Sequence, residues 1–445
     1  MAGFLKPFQD TLQGINMNLG TVLLVGVCIG IWLLSRKPRG IPPGPRFTLP
    51  FVGDLLFLEG GGDVRVATRQ LRKKYGDIFS VYFGPKLFIF INGYDLIKEA
   101  LVKRADEFTN RPPMFINDLL SKRKGIVFSS GQLWKEQRKF ALETLREFGF
   151  GRTVLEDKIL EEIGYYVEVI GKHNGKAFNI QRLTQTSVSN VISSIVYGQR
   201  FDYGDPVFID FVERVDENFA VAGSSSLLNF LPVLRFLPGD FFKFKRTIRN
   251  NQTQEMNLIE PSVNDHLKNY DENNTNDFIS SYIKEMKRVE KSGEESTIDK
   301  DNLIKSIGDL FVAGTETTST TILWTILYLL HNPSVQAKCY KEIQDVVGSG
   351  RLPSMKDRSS MPYTQAVLLE VLRIANIAIV GLPHTVGRRI CLGESLAKME
   401  LFLFMTTLIQ RFEFKPVDPN NLPTLKGILG LAHSPTQYEV RALPR

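Results

Sequence analysis

The sequence predicts a mainly α-helical protein with small β-sheets, preceded by a single N-terminal transmembrane helix. Three observations carry that prediction. Long stretches place apolar residues at the helical period, the longest of them from Ile304 to Leu330. Strand-like alternation occurs in two short segments around Gly84-Pro85. Near the N-terminus, residues 11–35 carry no charge and Leu19 to Leu34 are almost wholly apolar.

The N-terminal run is long enough to span a bilayer. No small-x-small cleavage site follows it, and Arg36, Lys37 and Arg39 come directly after, against Lys6 and Asp10 before. That asymmetry predicts a retained anchor over residues 1–35 with the body on the cytoplasmic side. Residues 36–46 form a basic, proline-rich hinge: Pro38, Pro42, Pro43 and Pro45 exclude helix and central strand and allow a flexible linker or a stiff spacer. The body is expected to occupy 47–445. Its candidate glycosylation sequons at Asn251 and Asn273 are expected to be unused in a cytoplasmic body.

Further along, Arg65 to Tyr75 is amphipathic, Ile78 to Phe83 and Leu87 to Ile91 alternate, and Tyr94 to Val102 is helical. Helices are expected at Gly131 to Glu147 and over 155–172, 178–196 and 207–220. Leu227 to Phe244 is rich in Leu and Phe but broken by Pro232 and Pro238, which suits a buried loop or a membrane-dipping segment equally. Residues 268–300 are polar and read as a solvated connector. No internal repeat occurs.

Composition narrows the chemistry. At 445 residues, with 43% hydrophobic residues and 31 Phe, the chain can bury a large apolar core. Its net charge of +7 is spread out, which suits an anionic membrane surface or an acidic protein partner better than nucleic acid. The three cysteines, Cys28, Cys339 and Cys391, form no C-x-x-C pair, which argues against a disulfide framework and a cysteine-based zinc site. The five histidines have no metal-ligand spacing, which argues against a zinc hydrolase.

Four segments carry chemistry. Trp134 and Arg138 share one helix face at i, i+4. Ala313-Gly314-Thr315-Glu316-Thr317-Thr318 breaks the long apolar helix with poor helix formers and a carboxylate; taken alone, a small-residue helix crossing with a paired Glu316 explains it slightly better than a functional site does. On the predicted buried helix Ala366 to Ile374, Glu370 and Arg373 can pair at i, i+3. Last comes Gly387-Arg388-Arg389-Ile390-Cys391-Leu392-Gly393, where glycines let the backbone wrap closely. The arginine and the following helix start favour a thiolate able to bind a metal.

In this order, these segments resemble the microsomal cytochrome P450 enzymes over the whole chain, and the vertebrate family-2 members in particular, as in Gly125-Ile126-Val127-Phe128-Ser129 leading into Trp134. The resemblance implies the cytochrome P450 fold and a heme-thiolate monooxygenase. Such an enzyme inserts one oxygen atom from O2 into lipophilic substrates: fatty acids such as arachidonate, steroids or xenobiotics. Cys391 would be the axial ligand of heme b iron. Arg111, Trp134, Arg138, His384 and Arg389 would hold the heme propionates. Glu316 and Thr317 would relay protons on the distal side. Phe128, Ala313, Ile379 and Val380 would line the substrate pocket. Implied partners are an NADPH-dependent flavoprotein reductase, cytochrome b5 and the endoplasmic reticulum membrane, with no nucleic acid.

In one place the sequence departs from the family pattern. Only 18 positions separate Arg373 from Cys391, where the family has several dozen residues, including a meander whose arginine completes the Glu370–Arg373 cluster. His384 stands seven residues before the cysteine, where the family has a phenylalanine, and also matches the propionate histidine from the other end of the missing stretch. The junction falls at Thr385-Val386. A catalytically silent, membrane-anchored variant or an incomplete gene product is therefore the alternative reading.

Overall fold

A computed structural model describes residues 19–34, 37–46, 48–49, 51–54, 63–108, 110–149, 153–385, 389 and 391–445. Its contacts divide the chain into two units, residues 1–103 with 230–234, and residues 104–229 with 235–445.

In the smaller unit, α1 (Leu19–Leu34) is apolar apart from Thr21. Its 16 residues extend about 24 Å, short of the roughly 30 Å hydrocarbon core of a bilayer. Among the described residues no helix is long and apolar enough to cross a membrane. Residues 1–18 and 35–36 of the expected anchor and its flank lie outside the described residues. The proline-rich stretch lies against a strand: Ser80 donates its hydroxyl to the Pro42 carbonyl (2.7 Å) and its amide to that of Pro43 (2.8 Å). Buried Asp54 accepts from Lys37 (3.1 Å), the Thr48 hydroxyl (2.9 Å) and the Tyr82 amide (2.8 Å), so its desolvation is compensated.

Helix α2 (Val64–Tyr75) starts on an Asp63 cap. The alternating segments form β1 (Ile78–Phe83) and β2 (Lys86–Ile91), an antiparallel pair with Ile78 opposite Ile91. The helix expected at Tyr94 to Val102 divides into α3 (Tyr94–Lys98) and a π-turn over Glu99–Lys103.

The larger unit holds the core. Its helices are α4 (Phe115–Ser121), α5 (Gly131–Glu147), α6 (Thr153–Gly171), α7 (Gln181–Val196), α8 (Pro206–Ser225), α9 (Phe244–Gln254) and α10 (Glu260–Lys268). They continue with α11 (Phe278–Ser292), α12 (Lys300–His331), α13 (Pro333–Val346), α14 (Pro362–Ala375) and α15 (Glu394–Arg411). Strands β3 (Ala177–Asn179), β7 (Glu439–Pro444) and β4 (Phe412–Pro416) make one antiparallel sheet, and β5 (Gly427–Leu429) pairs with β6 (His433–Pro435).

The run expected to be the longest helix is α12, whose 32 residues pack against α7, α14 and α15. Buried Trp324 donates its indole N–H to the His433 carbonyl (2.8 Å), so β6 is tied to this helix. The polar connector expected over 268–300 is corrected by α11. Phe278, Ile279, Tyr282 and Ile283 recur on one side of that helix and are buried, while its charges face water. An Asp277 cap and Gly293 at φ +69° bound it.

Between Leu227 and Phe244 the chain makes short 3-10 turns. Leu228 is buried, whereas Phe236 and Phe241 are 73% and 76% exposed. A wholly buried loop is thereby excluded.

Candidate active site

The site grows from the way α12 holds the loop before α5. Asp309 accepts hydrogen bonds from the amides of Ile126 (2.7 Å) and Val127 (2.8 Å). The approach requires Gly125, which has φ +77°; a Cβ there would lie 2.6 Å from the Asp309 carboxylate. With its N–H groups turned toward Asp309, the loop offers its carbonyls to arginines. Arg389 donates to the carbonyls of Ile126 (3.2 Å), Val127 (2.8 Å) and Ser129. Arg111 donates to Val127 (3.1 Å) and to Leu382 (3.3 Å) and Pro383 (2.8 Å).

Arg389 also meets Trp134 on α5, together with Arg138. Arg389 lies 4.6 Å and Arg138 5.8 Å from the centre of its ring. His384 joins from the segment after α14, with Nδ1 2.7 Å from the Phe108 carbonyl. A carbonyl only accepts, so Nδ1 carries the proton. Burial pushes His384 down to about 4, helped by Arg111 and Arg389, and leaves it neutral at pH 7. Burial also lowers Arg389 to about 9, with Arg111 and Arg138 adding repulsion and Asp309 opposing it. Arg111 falls to about 10 through burial. Asp309 itself is raised to about 6 by burial, against the two amides, Lys305 and Arg389.

Three guanidiniums thus gather around Arg389, which alone of them also feels the Asp309 carboxylate. A cluster of planar, mutually repelling donors beside the Trp134 ring suits a ligand carrying two carboxylates, and the residues present fit the propionates of a heme. Cys391 is exposed, just before the N-terminus of α15. Val386, Gly387, Arg388 and Ile390 of its loop lie outside the described residues.

The Ala313–Thr318 stretch divides into two kinds of position. At Gly314 a Cβ would lie 2.5 Å from Ile192, and Thr315 shares a 3.0 Å hydrogen bond with Ser189, so small residues let α12 cross α7 closely. Glu316 is buried without a cation partner among the described residues. Its Oε1 accepts from the Thr320 (3.1 Å) and Ser434 (3.3 Å) hydroxyls, and its Oε2 has no partner among the described residues. Burial first, then Asp216, push it up to about 8 against those two hydroxyls. Thr317 is exposed with Ala313, whose carbonyl accepts from its hydroxyl at 2.7 Å.

The other expected pocket residues occupy separate segments. Phe128 is half-buried on the loop that Asp309 holds, Ile379 is half-buried after α14, and Val380 beside it is exposed.

Glu370 and Arg373 pair in a two-pronged contact (2.7 and 2.6 Å), but on the outside of α14, with side chains 55% and 70% exposed. The buried helix expected here is half-exposed, because no described element covers Leu369, Glu370 and Arg373.

Sequence reasoning missed Asp309. The available signal was a second acid in the apolar helix, two turns before Glu316.

The family model described as Cytochrome P450 matches residues 42–386 and 382–441, two stretches that meet at the junction beside Thr385. Cytochrome P450 2B19 of Mus musculus is 35% identical over 499 aligned residues, covering 96% of this chain and 100% of the relative. Cytochrome P450 2K4 of Oncorhynchus mykiss is 34% identical over 516 residues, covering 98% and 100%. Cytochrome P450 2H1 of Gallus gallus is 35% identical over 498, covering 96% and 99%. Each alignment is longer than the 445-residue chain, so several dozen positions of each relative have no residue opposite them here. The chain belongs to the cytochrome P450 family, whose members are heme-dependent monooxygenases.

Proposed function

We propose that this chain binds heme b through Cys391 and inserts one oxygen atom from O2 into lipophilic substrates, with electrons from NADPH delivered by a flavoprotein reductase. The convergence of Arg111, Trp134, Arg138, His384 and Arg389 on one cradle carries this reading. Bound heme would supply the oxygen-activating iron. The arginines and Trp134 would hold its carboxylates. Thr317 would present a hydroxyl, and neutral Glu316 would hold a transferable proton beside it. Phe128, Ala313, Ile379 and Val380 would form apolar walls suited to fatty acids such as arachidonate, steroids or xenobiotics.

The N-terminal 35 residues would anchor the protein in the endoplasmic reticulum membrane. Their apolar run and the basic residues after them support a single span with the body on the cytoplasmic side. Outward Phe236 and Phe241 suit contact with that membrane. The basic net charge suits an acidic reductase or cytochrome b5 surface.

A second reading, a silent membrane-anchored variant, is favoured by the exposure of Cys391 and of the Glu370–Arg373 pair. One spectrum separates the two. The expressed chain, reduced and exposed to carbon monoxide, is expected to show the strongly red-shifted Soret band of thiolate-ligated heme. Cys391→Ser is expected to abolish it. Absence of heme uptake by the unmodified chain would leave the silent reading standing.

A further inference from the structure

A second buried acid lies on the other side of α12 from Glu316. Thr318 Oγ1 donates to Glu400 Oε2 at 3.1 Å, and both residues are buried. Glu400 belongs to α15, the helix that follows Cys391, and its Oε1 has no hydrogen-bond partner among the described residues. Burial raises its carboxyl to about 8, against the Thr318 hydrogen bond. An acid so placed is retained in neutral form, in which Oε2 remains a good acceptor.

The geometry around it has a consequence for Thr317. Successive helix residues project about 100° apart, so Glu316 and Thr318 point to nearly opposite sides of α12, with Thr317 between them. On one side Glu316 accepts from Thr320 and from Ser434 of β6. On the other, Thr318 is tied to α15. Thr317 and Ala313 are left on the exposed side.

We propose that Glu400 is a positioning residue for Thr317: by accepting the Thr318 hydroxyl it fixes the rotation of α12 about residues 316–318. It thereby sets the direction in which Thr317 faces relative to the helix that begins beside Cys391. This rests on the reading of Thr317 as the distal hydroxyl. A side chain that only filled space could be replaced by any of similar volume. A positioning acceptor is rescued only by another acceptor.

The test is amide hydrogen–deuterium exchange of the full chain, read on peptides across 313–320, with α11 as an internal reference. It needs no heme, so its failure is distinct from a failure of the heme reading. Glu400→Gln and Thr318→Ser keep the hydrogen bond and are expected to exchange within about twofold of the unmodified chain. Glu400→Leu and Thr318→Val remove it and are expected to speed exchange at 313–320 about tenfold, with α11 unchanged. Unchanged exchange at 313–320 in Glu400→Leu would overturn the proposal, as would loss of protection in Glu400→Gln equal to that in Glu400→Leu. Should Glu400→Leu loosen α11 as well, Thr318→Val decides by the same criterion, since it replaces one hydroxyl with a methyl.

Discussion

At the scale of single residues, the site is organised by acids inside the apolar body. Asp309 orders the 125–129 loop by taking its amides, which turns the neighbouring carbonyls to Arg389 and Arg111. Glu316 holds its hydroxyl partners as a neutral acid. Its pKa, about 8, lies above the ordinary 4.5, so the folded state holds a proton that the unfolded chain releases. The sign follows. Its contribution to stability is complete below about 4.5 and is lost as pH rises through about 8. Glu400 acts in the same direction over the same window. His384, depressed to about 4, acts oppositely, but only between that value and its ordinary 6.5. Above pH 6.5 the two glutamates therefore contribute a downward slope of stability with pH. The variant Glu316→Gln, unfolded in urea at pH 6.5 and pH 8.5, should lose less stability over that interval than the unmodified chain. An equal or greater loss would mean that Glu316 is charged in the folded protein.

At the scale of elements, the sequence was most informative where a long period or a strong breaker was present. The 3.6-residue repeat marked α5, α6 and α12, and Gly84-Pro85 marked the β1–β2 turn, since these signals are local. It was least informative where burial depended on distant partners. Helix α11 looked solvated because its apolar residues cluster near its N-terminus, and their burial is decided by what packs on them, as Tyr282 does in donating to Gln137 (2.8 Å). The A-G-T-E-T-T stretch could be read as a helix crossing or as a site, and Gly314 and Thr315 make the crossing. The crossing makes a definite prediction. Adding a β-branched side chain at Gly314 drives it into Ile192, against which a Cβ already stands at 2.5 Å. Gly314→Val should destabilise the chain by about 1–3 kcal/mol despite removing a helix-weakening glycine. Pairing it with Ile192→Ala should cost less than the sum of the two single changes in denaturant unfolding. Strict additivity would show that α7 and α12 do not meet at this point.

At the scale of the whole molecule, the cradle and its cysteine are unequally complete. The residues proposed to hold the propionates come from the segment before α4, from α5, and from both sides of the junction, and they gather without the missing segment. What that segment would cover is the outside of α14, where Leu369, 66% exposed, and the Glu370–Arg373 pair face water. Exposure of a pair that the sequence marked as buried could not be read from i, i+3 spacing, which is the same in either setting. Cys391 is exposed too, and a solvent-accessible thiol is open to alkylation whenever it ionises. The three cysteines make this measurable residue by residue, since Cys339 is buried and serves as the internal control. In the chain as it stands, brief native-state treatment with iodoacetamide followed by peptide mapping should label Cys391 and spare Cys339. Inserting the several dozen residues of a curated relative between Thr385 and Val386, then supplying heme, should protect Cys391 and bring back the red-shifted carbon monoxide band. Protection of Cys391 in the uninserted chain, without added heme, would show that the short loop closes over the cysteine by itself and that the missing segment is not what exposes it.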